Sequence, residues 1–287
     1  MRPRRSALFM PGNNIRAISK SKTLPCDVVI LDLEDAVGSD KKHQSRETVR
    51  DSLLDGGFGS REIAVRVNAL GTVFHADDLS AFRDVPLNAI VLPKAEHKHE
   101  LKQLGEQMDL LGFNPEIELW LMAETPTGVL NIRELCNAHP RVNAVLLGTS
   151  DLGKCLQLPQ DHQRTGLLHA LSHCLLAARE AEINILDGVF LDLQSPELFE
   201  AQCKQGKILG FDGKTLIHPS QIEKANDIFA PSNAEIIKAR AIVKAWKVAI
   251  ADGDGLCVLE GRLVENLHVE EAKRVLDLAH LIATQSF

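Results

Sequence analysis

Eight short apolar runs, spaced along the chain by stretches of helical periodicity, limit what it can fold into more than any other feature. They lie at 6–10, 28–33, 63–67, 89–92, 117–122, 144–148, 188–191 and 215–217. Each is rich in Leu or β-branched residues and is bounded by polar or turn residues, as strands buried on both faces are. The segments 44–54, 97–111, 129–137, 162–181 and 196–205 carry the helical pattern. Such alternation predicts a parallel sheet with right-handed crossovers. Eight units favour a closed (β/α)8 barrel; a doubly wound open sheet is the rival. A single barrel takes about 250 residues, and this chain has 287. We therefore expect a barrel over 1–230 and a helical extension over 231–287. Its signals are a break at Pro231, a helix over 232–251, a Gly-rich turn at 252–255 and a last helix over 269–284. The extension either packs on a neighbouring subunit or closes as a capping hairpin.

Composition narrows the function. Lys and Arg total 32 against 39 Asp and Glu, a net charge of −7. This argues against a partner held through nucleic-acid phosphates. Tyr is absent and aromatics make up 4 %, so no stacking platform for single strands is present. The six cysteines form no C-x-x-C pair, which argues against zinc and dithiol chemistry and for reduced thiols. The basic start MRPRRSALFMPG contains an apolar stretch far too short for a signal-peptide core. No apolar run approaches the roughly 20 residues of a membrane span. The expectation is a cytoplasmic protein with neither nucleic acid nor membrane as partner.

In a parallel barrel the active site gathers at the C-terminal ends of the strands. Those ends read Asp32, Glu34 and Asp35; Arg66 and Asn68; Lys94; Glu124; Thr149, Ser150 and Asp151; Asp192; and His218 before Pro219. Glu124 and Asp151, on adjacent strands, make a sparse all-oxygen site of the kind Mg2+ prefers, with positions left for water and substrate. A structural ion-pair network is the competing reading. Arg66 suits a two-pronged grip on a substrate carboxylate. Glu34 and Asp35 either orient Arg66 or Lys94, hold metal-bound water, or form a buried ion-pair network around the site. His218 reads as a turn residue at the barrel mouth.

The motifs themselves are familiar. RSALFMPGNN at 5–14, DVVILDLEDAV at 27–37, REIAVRVNALGT at 61–72 and VLPKAE at 91–96 resemble those of the citrate lyase β-subunit-like (HpcH/HpaI aldolase/citrate lyase) family. AETPTGVLN at 123–131, GTSDL at 148–152, GFDGKTLIHPSQI at 210–222 and GRLVENLHVEEA at 261–272 continue the match in order. The resemblance implies a Mg2+-dependent TIM barrel of the phosphoenolpyruvate/pyruvate superfamily, assembled as a homotrimer or hexamer. It implies cleavage of a 3-hydroxyacyl thioester, mostly of coenzyme A, into an acetyl thioester and a 2-oxo acid. By the same resemblance Glu124 and Asp151 bind the metal, Arg66 binds the 2-oxo acid carboxylate, and Phe9, Arg16 and Lys20 line the coenzyme A entrance. Glu265 stands where several relatives carry an Asp that a neighbouring subunit donates as acid/base. The longer side chain moves the carboxylate by about a bond length and puts thioesterase activity in doubt more than cleavage.

Four readings follow. The first is a stand-alone lyase acting on an acyl-CoA of citramalyl-CoA or malyl-CoA type. The second is a citrate lyase β subunit that takes its substrate from an acyl carrier protein. The third is an aldolase on free hydroxy acids, which would need no nucleotide contacts at Phe9–Lys20. The fourth is a non-catalytic assembly subunit, against which Arg66, Glu124 and Asp151 speak.

Overall fold

The computed structural model describes residues 2–285, which divide into two compact units: 4–226, and 2–3 with 227–285. The larger unit is a closed barrel of eight parallel strands in sequential order. They are β1 (Ser6–Pro11), β2 (Val28–Asp32), β3 (Glu62–Arg66), β4 (Ala89–Leu92), β5 (Glu118–Ala123), β6 (Val142–Leu147), β7 (Asn184–Asp187) and β8 (Gly213–Leu216). β1 pairs with both β2 and β8, which closes the ring and excludes the open sheet. The crossover helices are α1 (Ile15–Ser21), α2 (Lys42–Leu54), α3 (His75–Ala81), α4 (Lys98–Leu110), α5 (Pro126–Leu130), α6 (Ile132–Cys136), α7 (Thr149–Cys155), α8 (Leu168–Glu180) and α9 (Pro196–Leu209), followed by α10 (Ile222–Phe229).

The barrel interior is packed. Ala7, Val28, Ile30, Ala64, Trp120 and Leu146 belong to one buried cluster, with Phe9 packed on it. Residues two apart on a strand share a face. An inward Ile30 therefore carries Asp32 inward, Ala64 carries Arg66, Met122 carries Glu124, and Leu146 carries Gly148. At the opposite end the same rule turns Glu62 and Glu118 inward, and both accept hydrogen bonds from Arg4: Nε to Glu62 at 2.8 Å and Nη2 to Glu118 at 2.5 Å. The Arg4 guanidinium also lies 4.6 Å from the Trp120 ring centre, and the Trp120 Nε1–H donates to Glu118 at 2.7 Å. The basic start of the chain is thus structural at Arg4, which plugs the closed end, and at Arg5, which pairs with the buried Asp27.

The seventh strand is displaced from its expected place. It spans Asn184–Asp187, and 188–191 is the loop that follows. Leu186 faces inward, so Asp187 faces out, into the layer between sheet and helices. There it meets Lys214 at 2.8 Å and Arg164 at 2.6 Å, all three buried. Asp192 is therefore no strand end. It is exposed and accepts from Ser195 Oγ ahead of α9. The run 129–137 is two helices broken at Asn131, and 162–181 is interrupted by a left-handed Arg164.

The smaller unit holds α11 (Asn233–Ala251), a hairpin of β9 (Cys257–Leu259) and β10 (Arg262–Val264), and α12 (Asn266–Thr284) packed on α11. Ser232 and Glu235 form a reciprocal capping box at the start of α11. The two short strands β9 and β10 between these helices were not expected from the sequence. No helix among the described residues is long and apolar enough to cross a membrane. Four of the six cysteines are buried, and burial pushes the thiols of Cys26, Cys136, Cys174 and Cys203 up to about 12, where they are inert.

Candidate active site

Asp32 and Arg66 are register partners on neighbouring strands. Their side chains form a two-pronged pair at the barrel mouth: Nε donates to Asp32 Oδ1 and Nη2 to Oδ2, each at 2.7 Å. Asp32 also accepts the backbone N–H groups of Glu34 and Ala36, which folds the loop after β2 back over the mouth. That turn brings Glu34 Oε2 to 3.0 Å from Arg66 Nη1. The contact is an ion pair without hydrogen-bond alignment, since Oε2 is buried with no hydrogen-bond partner. The Arg66 guanidinium carbon lies 4.9 Å from the centre of the Phe9 ring. Burial alone would weaken the Arg66 charge, but Asp32 and then Glu34 outweigh it and hold the guanidinium firmly protonated.

Lys42 supports this loop from beneath. Its ammonium is buried and donates to the carbonyls of Leu33 and Glu34, each at 2.7 Å. Burial pushes its pKa down, against the pull of Asp32 and other nearby carboxylates. Sequence reading missed Lys42, because a lysine near a helix start carries no signal of where its tip goes.

Glu124 sits one residue past β5 and is buried. Its Oε1 accepts the backbone N–H of Lys94 at 2.7 Å. Lys94 follows Leu92 and Pro93 in the left-handed region, at φ 51°. Its side chain reaches Glu34 Oε1 and lies 3.7 Å from Asp35. Asp151 lies in the first turn of α7, near enough that its charge disfavours ionisation of Glu124. Burial, then Glu34 and Asp151 against the N–H of Lys94 and the charge of Arg66, push the Glu124 carboxyl up to about 7. Burial also pushes Glu34 up, despite Arg66 and Lys94 beside it.

The mouth therefore holds five carboxylates (Asp32, Glu34, Asp35, Glu124 and Asp151) against three cations (Arg66, Lys94 and Lys42). An excess of negative charge around a buried carboxylate calls for a cation, and a raised carboxyl is its signature. The space is kept open by Gly148, where a Cβ would stand 2.5 Å from Glu124 Oε2. No group of three or more His, Cys, Asp or Glu among the described residues is placed to enclose an ion. Glu124 with Asp151 thus fits a hard divalent ion that keeps positions for water and substrate oxygens, rather than a structural zinc.

The structure brings Phe9, Arg66, Glu124 and Asp151 together with Glu34 and Lys94. Arg16 and Lys20 are exposed on α1, one turn apart. His218 is exposed and caps the turn after β8, with Nδ1 2.8 Å from Ser220 Oγ. Glu265 belongs to the smaller unit, where it is the exposed N-cap of α12.

The HpcH/HpaI aldolase/citrate lyase family model matches residues 5–219, the strand-borne motifs included. The chain belongs to that family. Within it, the chain is 40 % identical over 281 residues to a (3S)-malyl-CoA thioesterase of Cereibacter sphaeroides, covering 98 % of this chain and 96 % of that one. It is 33 % identical over 285 residues to the citrate lyase subunit beta of Escherichia coli K12, with 98 % and 94 % covered. The crystal structure of protein CitE from Mycobacterium tuberculosis, in complex with magnesium, acetoacetate and coenzyme A, superposes with a TM-score of 0.77. The sequences there are 28 % identical, over 96 % of this chain and 97 % of that one. The barrel is thus of the phosphoenolpyruvate/pyruvate type shared by this family.

Proposed function

We propose that this protein is a Mg2+-dependent acyl-CoA lyase. It cleaves a 3-hydroxyacyl-CoA of citramalyl-CoA or malyl-CoA type into acetyl-CoA and a 2-oxo acid such as pyruvate or glyoxylate. The observation that carries this reading is the surplus of carboxylates around the buried Glu124, set beside an arginine whose orientation Asp32 fixes. The CitE structure with magnesium, a small oxo acid and coenzyme A supports it.

In this reading Glu124 and Asp151 hold the metal ion. Bound there, the ion acidifies the substrate hydroxyl and stabilises the developing negative charge, an effect worth several kcal/mol. Arg66 has five N–H donors, of which Asp32 takes two. Nη1 donates to Met122 Sδ at 3.6 Å and lies 3.0 Å from Glu34 Oε2, so in this reading the substrate carboxylate takes the N–H donors that Asp32 and Met122 leave. The two-pronged bond to Asp32 means Arg66 need not reorganise as charge moves. Phe9, packed against Arg66, lines the coenzyme A entrance with Arg16 and Lys20, and these two cations meet the coenzyme A phosphates. Cleavage expels an enolate that must be protonated at carbon. Glu265 of a neighbouring copy is our choice of acid, worth about 10²–10⁴-fold. A cytoplasmic homotrimer or hexamer would supply it. Exposed Ile237, Val258 and Leu267 on the smaller unit support such an assembly.

The 40 % identity to a malyl-CoA thioesterase favours thioester hydrolysis as a second reading. The β-subunit relatives favour a citryl thioester on an acyl carrier protein as a third. One experiment separates them: citramalyl-, malyl-, β-methylmalyl- and citryl-CoA, and carrier-bound citryl, are incubated with the protein with and without Mg2+. Oxo-acid release without free thiol establishes the lyase and names its substrate. Free thiol without oxo acid establishes the hydrolase, and activity on the carrier-bound substrate alone establishes the subunit. Turnover unaffected by EDTA would overturn the metal reading. No turnover of any of them would favour the non-catalytic subunit or the free-acid aldolase.

A further inference from the structure

A lysine in the left-handed region is uncommon and costs free energy unless its surroundings hold it there. Of the other such non-glycine residues, Gln157 and Glu182 directly follow helix ends, where this conformation is the ordinary way out. Lys94 has no such reason. It follows a barrel strand and a proline, at the mouth. What this backbone achieves is visible in two directions at once. The amide of Lys94 points at Glu124 Oε1, 2.7 Å away, and its ammonium reaches Glu34 Oε1. Glu34 comes from the loop after β2 and Glu124 from the end of β5, so one residue ties two distant carboxylates to a common frame. The ammonium is also the only fastening of Glu34 at that oxygen among the contacts described, since Oε2 meets Arg66 without a hydrogen bond.

We propose that Lys94 is a positioning residue with two separable parts: its left-handed amide aims Glu124 at the cation site, and its ammonium holds Glu34 beside Arg66. This rests on the reading of the mouth as a cation-dependent lyase site. The amide survives substitution of the side chain, whereas the ammonium does not, so the two parts come apart in different variants. Glycine accepts the left-handed backbone freely, whereas methionine bears the same backbone cost that lysine already bears there.

The test uses the full-length protein and four variants: Lys94→Gly, Lys94→Met, Glu34→Gln and the double variant Lys94→Met/Glu34→Gln. Mn2+ affinity is measured by electron paramagnetic resonance, and kcat and KM on the best thioester of the panel. Both single Lys94 variants should bind Mn2+ within threefold of the parent, because the amide remains. Both should lose at least tenfold in kcat with KM within threefold. Lys94→Gly should melt several degrees above Lys94→Met. The double variant should be no slower than Glu34→Gln, because Lys94 acts through Glu34. A tenfold or greater loss of Mn2+ affinity in Lys94→Gly, or additive losses in the double variant, would overturn the proposal. A parent protein that neither binds Mn2+ nor turns over any thioester overturns the underlying reading instead, and that result is read before any variant is made.

Discussion

A Cβ on Gly148 would stand 2.2 Å from the Cβ of Glu124, closer than two such atoms can approach. The end of β6 therefore has to be bare for the end of β5 to carry its carboxylate inward. Gly148→Ala should push Glu124 aside, at about 1–3 kcal/mol of overpacking. The barrel should still fold, with Mg2+ affinity at least tenfold weaker. Calorimetric titration beside a thermal melt checks both, and unchanged affinity would refute the crowding argument.

Glu124 gives the protein a pH signature. Without metal, its proton is held up to about pH 7 in the folded state, against an ordinary value of 4.5. The folded state then binds more protons than the unfolded chain across that window, so stability falls as pH rises through it. The full effect is on the order of 3 kcal/mol. Metal-free parent protein at pH 8 should melt below Glu124→Gln, and Mg2+ should raise the melting temperature of the parent alone. Binding must also expel a proton, so apparent Mg2+ affinity should climb about tenfold per pH unit up to about 7 and then level off. Titrations at several pH values in two buffers of different ionisation enthalpy measure both slope and proton release.

Arg66 carries structural and chemical duties together. Removing it leaves the buried Asp32 without its cation and the buried Glu34 with Lys94 alone. Arg66→Ala should cost about 3–5 kcal/mol in chemical denaturation. Arg66→Lys restores a charge but not the fork. It should recover part of that stability while KM for the thioester stays raised at least tenfold.

The other end of the barrel provides the control. Arg4 is buried against Glu62 and Glu118, far along the strands from Glu124. Arg4→Met leaves both carboxylates short of a partner and should destabilise by about 3–5 kcal/mol. Mg2+ affinity and turnover per folded molecule should stay within twofold. An activity loss in protein shown to be folded would mean the two ends of the barrel communicate.

The sequence shows the barrel because strands buried on both faces leave unbroken apolar runs, and seven of those runs lie on or within a residue or two of the strands formed. The seventh failed for a physical reason. Asp187 ends its strand as a charge facing the helix layer, and its neutralisation by Lys214 and Arg164 comes from residues far along the chain. A charged residue there reads as a boundary, so the apolar 188–191 drew the assignment past the true strand. The same limit hid the loop architecture of the site. Arg66, Glu124 and Asp151 are legible as polar ends of apolar runs. That Lys42 anchors the loop of Glu34, or that Lys94 joins Glu34 to Glu124, depends on contacts between segments up to 60 residues apart. Short helices such as α1, α3 and α7 have too few turns to print a periodicity.

The packing of Trp120 beneath Arg4 has an optical consequence. The chain has no tyrosine and two tryptophans. Trp120 is fully buried in the barrel, and Trp246 is half-buried on α11 of the smaller unit. Near-ultraviolet emission thus comes from one indole per unit, with no phenol background. Replacing Trp246 by Phe leaves a lamp at the floor of the barrel; replacing Trp120 leaves one in the helical extension. The two units can then be watched melting separately in the same cuvette, without any label.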